Sequence, residues 1–170
     1  MSAHQKITIC TVTACFFLLA GCSTTPPRHR VTTDAYTGAV ELPSRLSSEQ
    51  ATDITIYAMG LIGTPYRYGG NTPDSGFDCS GLIGHVYQSR AGVLAPRTVS
   101  RLQDWGQSVP GDNVRSGDLV LFGQRDVATH AGIYVGNGRF VHAPSTGGKV
   151  RMDRLDSKYW SAQQMAFRRP

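Results

Sequence analysis

Residues 78–82 read Asp78-Cys79-Ser80-Gly81-Leu82, and they place a cysteine where an apolar helical pattern begins. The pattern continues with Leu82, Ile83, Val86 and Tyr87. It stops near Gly92, which predicts a helix that starts at Cys79. A thiol in the first helical turn faces free amide hydrogens and the positive end of the helix dipole, so we expect Cys79 to ionise more readily than a free cysteine. Gly81 and Gly84 predict a neighbouring backbone packed closely against this helix.

Cys79 is also set apart from the other cysteines by its position. Cys10, Cys15 and Cys22 belong to the N-terminal apolar segment, so cleavage of a leader leaves Cys79 without an intrachain disulfide partner. A free cysteine is commonly a small buried apolar residue. At a helix start it also suits a nucleophile, because the helix amides are able to hydrogen-bond the oxyanion of an acyl-transfer reaction.

Two histidines are candidates for the base that such a nucleophile needs. His85 lies six residues after Cys79 on the same helix and should point away from the thiol. His130 and His142 flank a hairpin signal, Gly136-Asn137-Gly138, and antiparallel pairing would make them neighbours. His130 would then face the thiol while His142 orients it. Zinc bound by these three side chains is the competing interpretation, but no zinc-binding motif accompanies them.

The order of the other elements predicts an α+β fold. Ser47 and Gln50 form a capping-box signature before an amphipathic helix, and residues 64–71 form a glycine-rich aromatic loop. After Pro110 the pattern changes to strands at 119–122, 130–135 and 139–143, with short edge strands expected at 150–152 and 165–167. Helices that precede an antiparallel sheet should pack together on one of its faces.

The N-terminal segment has the features of an export signal. Residues 1–21 form a signal peptide whose exit, Leu19-Ala20-Gly21-Cys22, resembles the lipobox of bacterial lipoproteins. That resemblance implies lipidation of Cys22, and Ser23 after it favours an outer-membrane anchor facing the periplasm. Residues 22–46, rich in Ser, Thr, Pro and Arg, predict a disordered tether. A folded domain is expected at 47–170.

The net charge of +5 has two interpretations. It suits a partner that carries carboxylates or phosphates, and it equally suits an ordinary soluble surface. The arginines are scattered, and no basic helix or stacking motif of a nucleic-acid-binding module is present.

Three blocks together resemble the NlpC-type family of cell-wall cysteine peptidases. They are residues 78–82, residues 129–138 (Thr-His-Ala-Gly-Ile-Tyr-Val-Gly-Asn-Gly) and residues 140–143 (Phe-Val-His-Ala), with a matching stretch at 115–122. With the lipobox, the chain is similar to lipid-anchored murein endopeptidases of Gram-negative bacteria.

This resemblance implies a papain-like fold with Cys79 as nucleophile, His130 as base and His142 as third member. Tyr66, Ser80 and Arg97 become candidates for binding the substrate or the oxyanion, although Tyr66 and its neighbour Tyr68 also suit plain loop packing. The implied substrate is a peptidoglycan stem or cross-link peptide cut next to meso-diaminopimelate. No cofactor or metal is needed, and a monomer is expected. A same-fold amidase or acyltransferase and a non-catalytic wall-binding lipoprotein are the alternatives.

Overall fold

The computed structural model describes residues 44–145 and 148–170. The helices are α1 (Ser48–Gly60), α2 (Cys79–Ala91) and α3 (Val99–Leu102); the strands are β1 (Asn71–Thr72), β2 (Gly76–Phe77), β3 (Gln107–Val109), β4 (Leu119–Gln124), β5 (Val127–Gly136), β6 (Arg139–His142), β7 (Arg151–Arg154) and β8 (Gln164–Arg169). The predicted signal peptide, the lipidated Cys22 and all but the end of the tether lie outside the described residues.

Both long helices begin where the sequence predicts. Ser47 caps α1, and Gln50 returns the bond in a complete capping box, with N···O distances of 3.2 and 3.0 Å. Asp78 caps α2 by accepting a hydrogen bond from the Gly81 amide. Gly92 ends α2 at a φ of 67°, a left-handed conformation that glycine adopts without steric cost.

The α+β class is confirmed, with one correction to the strand order. The large sheet has the order β3-β8-β4-β5-β6-β7, and all its neighbours pair antiparallel. β7 is an edge strand as expected, whereas β8 lies inside the sheet between β3 and β4. Its position inside the sheet was not evident because residues 164–169 mix polar and apolar side chains without alternation.

The sheet is covered on both faces. α1 and α2 pack on one face and bury Ile54, Leu82 and Ile83 against the strands. Trp160, which follows β7, covers Phe122 and Phe140 on the other face. The second cluster matters for function because it surrounds the two histidines.

Some features of the fold differ from expectation. A side-chain Cβ at Gly81 would overlap the Gly70 carbonyl oxygen, which confirms the predicted close approach, but Gly84 has open space around it and the prediction there was wrong. The last tether residues, 44–46, contact the domain: Ser44 bonds the Pro170 carbonyl, and Leu46 is buried in the core. No helix within the described ranges is long and apolar enough to span a membrane.

Candidate active site

Cys79 is a free, partly buried thiol at the first position of α2. The Gly81 amide is occupied by the Asp78 carboxylate, and the Leu82 amide donates to the Asp78 carbonyl. The amides of Cys79 and Ser80 lower the pKa of the thiol, as donors near a sulfur do. A reacting carbonyl that approached the sulfur would therefore meet two amides that have no acceptor within the helix.

The loop before the thiol is held in place by Arg97. Its Nη1 donates to Asp78 Oδ1 and Ser80 Oγ, both at 2.7 Å, and its Nη2 donates to the carbonyls of Gly69 and Gly70 at 2.9 and 3.1 Å. All four partners belong to the protein itself, so the guanidinium holds the glycine-rich loop against the start of α2. Burial acts to raise the pKa of Asp78, but hydrogen bonds from Arg97, Gly81 and Ser80 outweigh it and lower the pKa, which keeps the carboxyl ionised.

The two histidines contact each other as predicted. Nε2 of His130, on β5, lies 2.9 Å from Nδ1 of His142, on β6, and the rings meet edge to face. His142 is completely buried. The His130 ring stacks on Trp160 with its centroid 5.3 Å away. These contacts fix the orientation of the His130 ring on two sides.

The thiol reaches the histidine strand through the residue after His130. α2 packs against β5, and the Ala131 amide lowers the pKa of the thiol, although no hydrogen bond joins Cys79 and His130 within the described residues. Burial, followed by the charge of Asp78, raises the pKa of Cys79, and the three nearby amides only partly oppose this. The prediction of an easily ionised thiol was therefore wrong for the free protein, because burial and the Asp78 charge outweigh the helix start.

Both histidines are neutral at physiological pH. Burial lowers the pKa of His130 to about 3, with further contributions from His142 and Arg151. Burial lowers the pKa of His142 to about 4, although Asp153 opposes the shift. Because the His130 imidazole is neutral, it is still able to accept the proton of a neutral thiol.

Sequence reasoning missed two residues of this site, Asp153 and Trp160. Oδ2 of Asp153, on β7, lies 3.1 Å from His142 Nε2 and accepts a hydrogen bond from Trp160 Nε1 at 2.9 Å. The pairing of β6 with β7 brings Asp153 to this site. It places Asp153 opposite Phe140, which lies two residues before His142. The chain of contacts therefore runs from His130 through His142 to a carboxylate.

The remaining predicted site residues have different surroundings. Burial, followed by the charges of Cys79 and Asp78, raises the pKa of Tyr66, so its hydroxyl lies within electrostatic range of the thiol. Tyr68 is 88% exposed. The Ser80 hydroxyl donates to Asp78 and to the Arg97 carbonyl, so this buried side chain supports the loop.

His85 makes contacts away from this site. His85 Nε2 lies 2.9 Å from the Tyr57 hydroxyl on α1, so the ring points away from Cys79 as predicted. No group of His, Cys, Asp and Glu side chains suited to a metal ion occurs within residues 44–145 and 148–170.

The buried histidines should make stability depend on pH. In the unfolded chain both imidazoles take up a proton near pH ~6.5, whereas in the folded protein they resist it down to about 4 or 3. The unfolded state then binds more protons, so stability that is present above pH ~6.5 is lost as the pH falls, by up to about 1.4 kcal/mol per pH unit for each histidine. Urea denaturation between pH 7.5 and 4.5 measures this slope. The slope should be shallower in His142→Asn, and an equal slope in the two proteins would contradict the assignment.

Comparison with known proteins relates most of the described domain to one family. The model of the NlpC/P60 family matches residues 63–169. The murein DD-endopeptidase MepH of Escherichia coli K12 is 34% identical over 141 residues, which cover 80% of this chain and 52% of that protein. The murein DD-endopeptidase and LD-carboxypeptidase MepS of the same strain is 38% identical over 107 residues, 63% of this chain and 56% of its own. This chain thus spans about half the length of these relatives.

Solved structures give the same result. The NlpC/p60 domain of the peptidoglycan hydrolase SagA superposes with a TM-score of 0.61 at 31% identity, covering 68% of this chain and 96% of that domain. A lipoprotein-like NLP/P60 protein of Staphylococcus aureus superposes with a TM-score of 0.64 at 33% identity, covering 75% of this chain and 44% of the other.

Proposed function

Because the chain belongs to the NlpC/P60 family, we propose that it is a cysteine endopeptidase that hydrolyses peptide bonds of peptidoglycan. The observation that carries this proposal is the contacting pair of His130 and His142 on strands next to the helix that begins with Cys79. A free thiol lies at a helix start beside the strand that holds one imidazole, and a second imidazole orients the first at 2.9 Å. A nucleophile, a base and an orienting group are the parts that acyl transfer requires.

The first half of the reaction forms an acyl-enzyme. The Cys79 sulfur attacks the peptide carbonyl carbon as its proton passes to His130, and the carbonyl electron pair moves to oxygen. The amides of Cys79 and Ser80 hydrogen-bond the resulting oxyanion. The developing negative charge nearby favours protonation of His130, which offsets the low pKa of the buried ring. Collapse of the intermediate breaks the C–N bond, and His130 gives the proton to the departing amine.

Water completes the cycle. His130 removes a proton from water as its oxygen attacks the thioester carbon, and collapse of the second intermediate releases a carboxylic acid. The Cys79 sulfur leaves and recovers its proton from His130. Arg97 takes no chemical step in this scheme: it keeps the Gly69–Gly70 backbone and Asp78 in place beside the nucleophile.

We infer that the bond cut lies next to meso-diaminopimelate. Two of the relatives described above are named murein DD-endopeptidases, and a gamma-DL-glutamyl hydrolase of Bacillus subtilis is also similar, at 38% identity over 130 residues. Their names indicate different bonds, and a stem peptide that contains diaminopimelate would carry free carboxylates. The net charge of +5 and the exposed Arg67 and Arg101 suit such a substrate.

Digestion of purified cell-wall sacculi tests the proposal. We expect the protein to release soluble fragments from Gram-negative sacculi, and mass spectrometry of the products identifies the bond. Cleavage of the cross-link converts dimers into monomers with intact stems, whereas cleavage after the glutamyl residue shortens the stems. Walls with lysine in place of diaminopimelate test the specificity.

The controls separate this function from its alternatives. Cys79→Ala should release nothing, so any digestion by that variant would point to a contaminating enzyme. Acyl transfer to an added amine without net hydrolysis would favour an acyltransferase. Intact sacculi that bind the parent protein and are never cut would favour a non-catalytic wall-binding role and overturn the proposal.

We also propose that Cys22 carries lipid and anchors the domain, acting as a monomer, to the outer membrane on its periplasmic side. The support is the lipobox-like sequence at 19–22 and the serine at position 23. Cys22→Ala should abolish incorporation of labelled palmitate and move the protein from the membrane fraction to the soluble fraction. Cys15→Ala is the matched control and should change neither. Continued membrane retention of unlabelled Cys22→Ala would contradict a lipid anchor.

A further inference from the structure

The carboxylate at the end of the histidine pair occupies a defined place in the sheet. β7 pairs with β6 so that Asp153 lies opposite Phe140, on the face that carries His142. Its Oδ2 lies 3.1 Å from His142 Nε2 and receives further hydrogen bonds from Trp160 Nε1 at 2.9 Å and Arg151 Nη2 at 3.0 Å. Three different side chains thus hold one carboxylate oxygen against the buried imidazole.

The charge state of Asp153 determines which histidine nitrogens carry protons. Partial burial acts to raise the pKa of Asp153, but hydrogen bonds from Trp160 and Arg151 outweigh it and lower the pKa, so the group is a carboxylate at neutral pH. A carboxylate only accepts hydrogen bonds, and therefore Nε2 of His142 must carry its proton. In a neutral ring Nδ1 of His142 is then a bare acceptor.

The same argument extends to the next ring. Because Nδ1 of His142 accepts, Nε2 of His130 must donate across the 2.9 Å contact. Nδ1 of His130 is then unprotonated. Within the described part of the chain, Nδ1 of His130 makes no hydrogen bond. Every fully buried side-chain nitrogen or oxygen there has a hydrogen-bond partner, so Nδ1 of His130 is not fully buried.

We propose that Asp153 is a positioning residue which, through His142, fixes the tautomer that leaves Nδ1 of His130 free to take the proton of Cys79. This inference rests on the proposed function, since it assigns a task to a residue that does not touch substrate. When His130 becomes an imidazolium, its Nε2 proton still points along the same chain toward a negative charge, which stabilises the ion.

The discriminating variant is Asp153→Asn. An amide is able to donate as well as accept, so it permits the reversed tautomer in which His142 is protonated on Nδ1 and no longer accepts from His130. We expect kcat on peptidoglycan to fall about 10- to 100-fold, with KM unchanged, less than the roughly 10⁴-fold known where the acid bonds the base directly. Asp153→Glu should recover part of the loss because it restores an obligate acceptor.

The matched control is Asp156→Asn. Asp156 is an exposed aspartate three residues further along, and among the described residues its side chain pairs with Arg154 alone. The same change of acid to amide should there leave kcat, KM and the histidine tautomers as in the parent. Circular dichroism verifies that each variant is folded.

Two-bond nitrogen–proton NMR spectra of the imidazole rings read the tautomer without any need for activity. The parent should show His130 and His142 both protonated at Nε2, and folded Asp153→Asn should lose this signature in at least one ring. If the parent has His142 protonated at Nδ1, or if folded Asp153→Asn keeps both tautomers and the parental kcat, the proposal is overturned. Should Asp153→Asn not fold, the parent spectrum alone decides. A parent with the expected tautomers that never cuts peptidoglycan would refute the proposed function and leave the tautomer assignment standing.

Discussion

Replacing His130 with alanine is expected to slow wall digestion by roughly 10³-fold or more, nearly as far as replacing Cys79 with alanine. Both changes should cost a similar amount because the thiol is neutral at rest and attacks only as its proton leaves. Without His130 the sulfur has no base beside it and the leaving amine has no acid. Initial rates of fragment release from sacculi, for folded variants, measure this loss.

Replacing His142 with asparagine or glutamine should be less damaging. Each amide has an oxygen able to accept from His130 Nε2, so the orientation of the base is partly kept while the link to Asp153 is weakened. We expect turnover to remain measurable. His85→Gln is the matched control, because that imidazole bonds the Tyr57 hydroxyl on α1 and should be dispensable for activity.

The assignment of the base depends on the ranking of these variants. If folded His130→Ala digests wall as fast as the parent, or if His142→Asn is the more damaging of the two changes, the base has been assigned to the wrong histidine. If both changes have no effect while Cys79→Ala is inactive, a different group serves as the base.

Much of the fold was predictable from local sequence because local chemistry determines it. Ser47 caps the start of α1 and Asp78 caps the start of α2, each through a short-range hydrogen bond. Gly92 ends α2 through its left-handed backbone conformation. The hairpin at 136–138 forms as predicted, with φ of 51° at Asn137 and 66° at Gly138. These features need no knowledge of the tertiary structure.

The site was predictable in part, and the missing part depends on long-range contacts. His130 and His142 come together through one hairpin, whereas Asp153 reaches them only through the register of a further strand pair. Trp160 lies in a segment with no helical or strand periodicity. The pKa of Cys79 depends on how much of the thiol is covered by residues distant in sequence. The helix start, a local signal, predicted a lowered pKa, whereas burial raises it.

The largest effect on stability is expected at the buried ion pair of Asp118 and Arg169. Arg169 Nε and Nη2 donate to the two Asp118 oxygens at 2.9 Å, and Nη2 also donates to the Asn113 carbonyl at 2.8 Å. Both residues are at least 96% removed from solvent, with exposures of 1% and 4%. The pair joins the end of β8 to the turn before β4, so it fixes a strand that lies inside the sheet and that the sequence predicted at its edge.

Arg169→Met should lower the free energy of unfolding by about 3–5 kcal/mol, because it leaves the Asp118 carboxylate buried without a counter-charge. Urea denaturation of the purified domain measures this. The double variant Asp118→Asn with Arg169→Met should be less destabilised than the single one, since no charge then remains buried. Arg154→Met, which removes an exposed arginine from a surface pair, should leave the midpoint essentially unchanged. A double variant as unstable as Arg169→Met would show that the lost hydrogen bonds and packing of Arg169, and not the stranded charge, carry the cost.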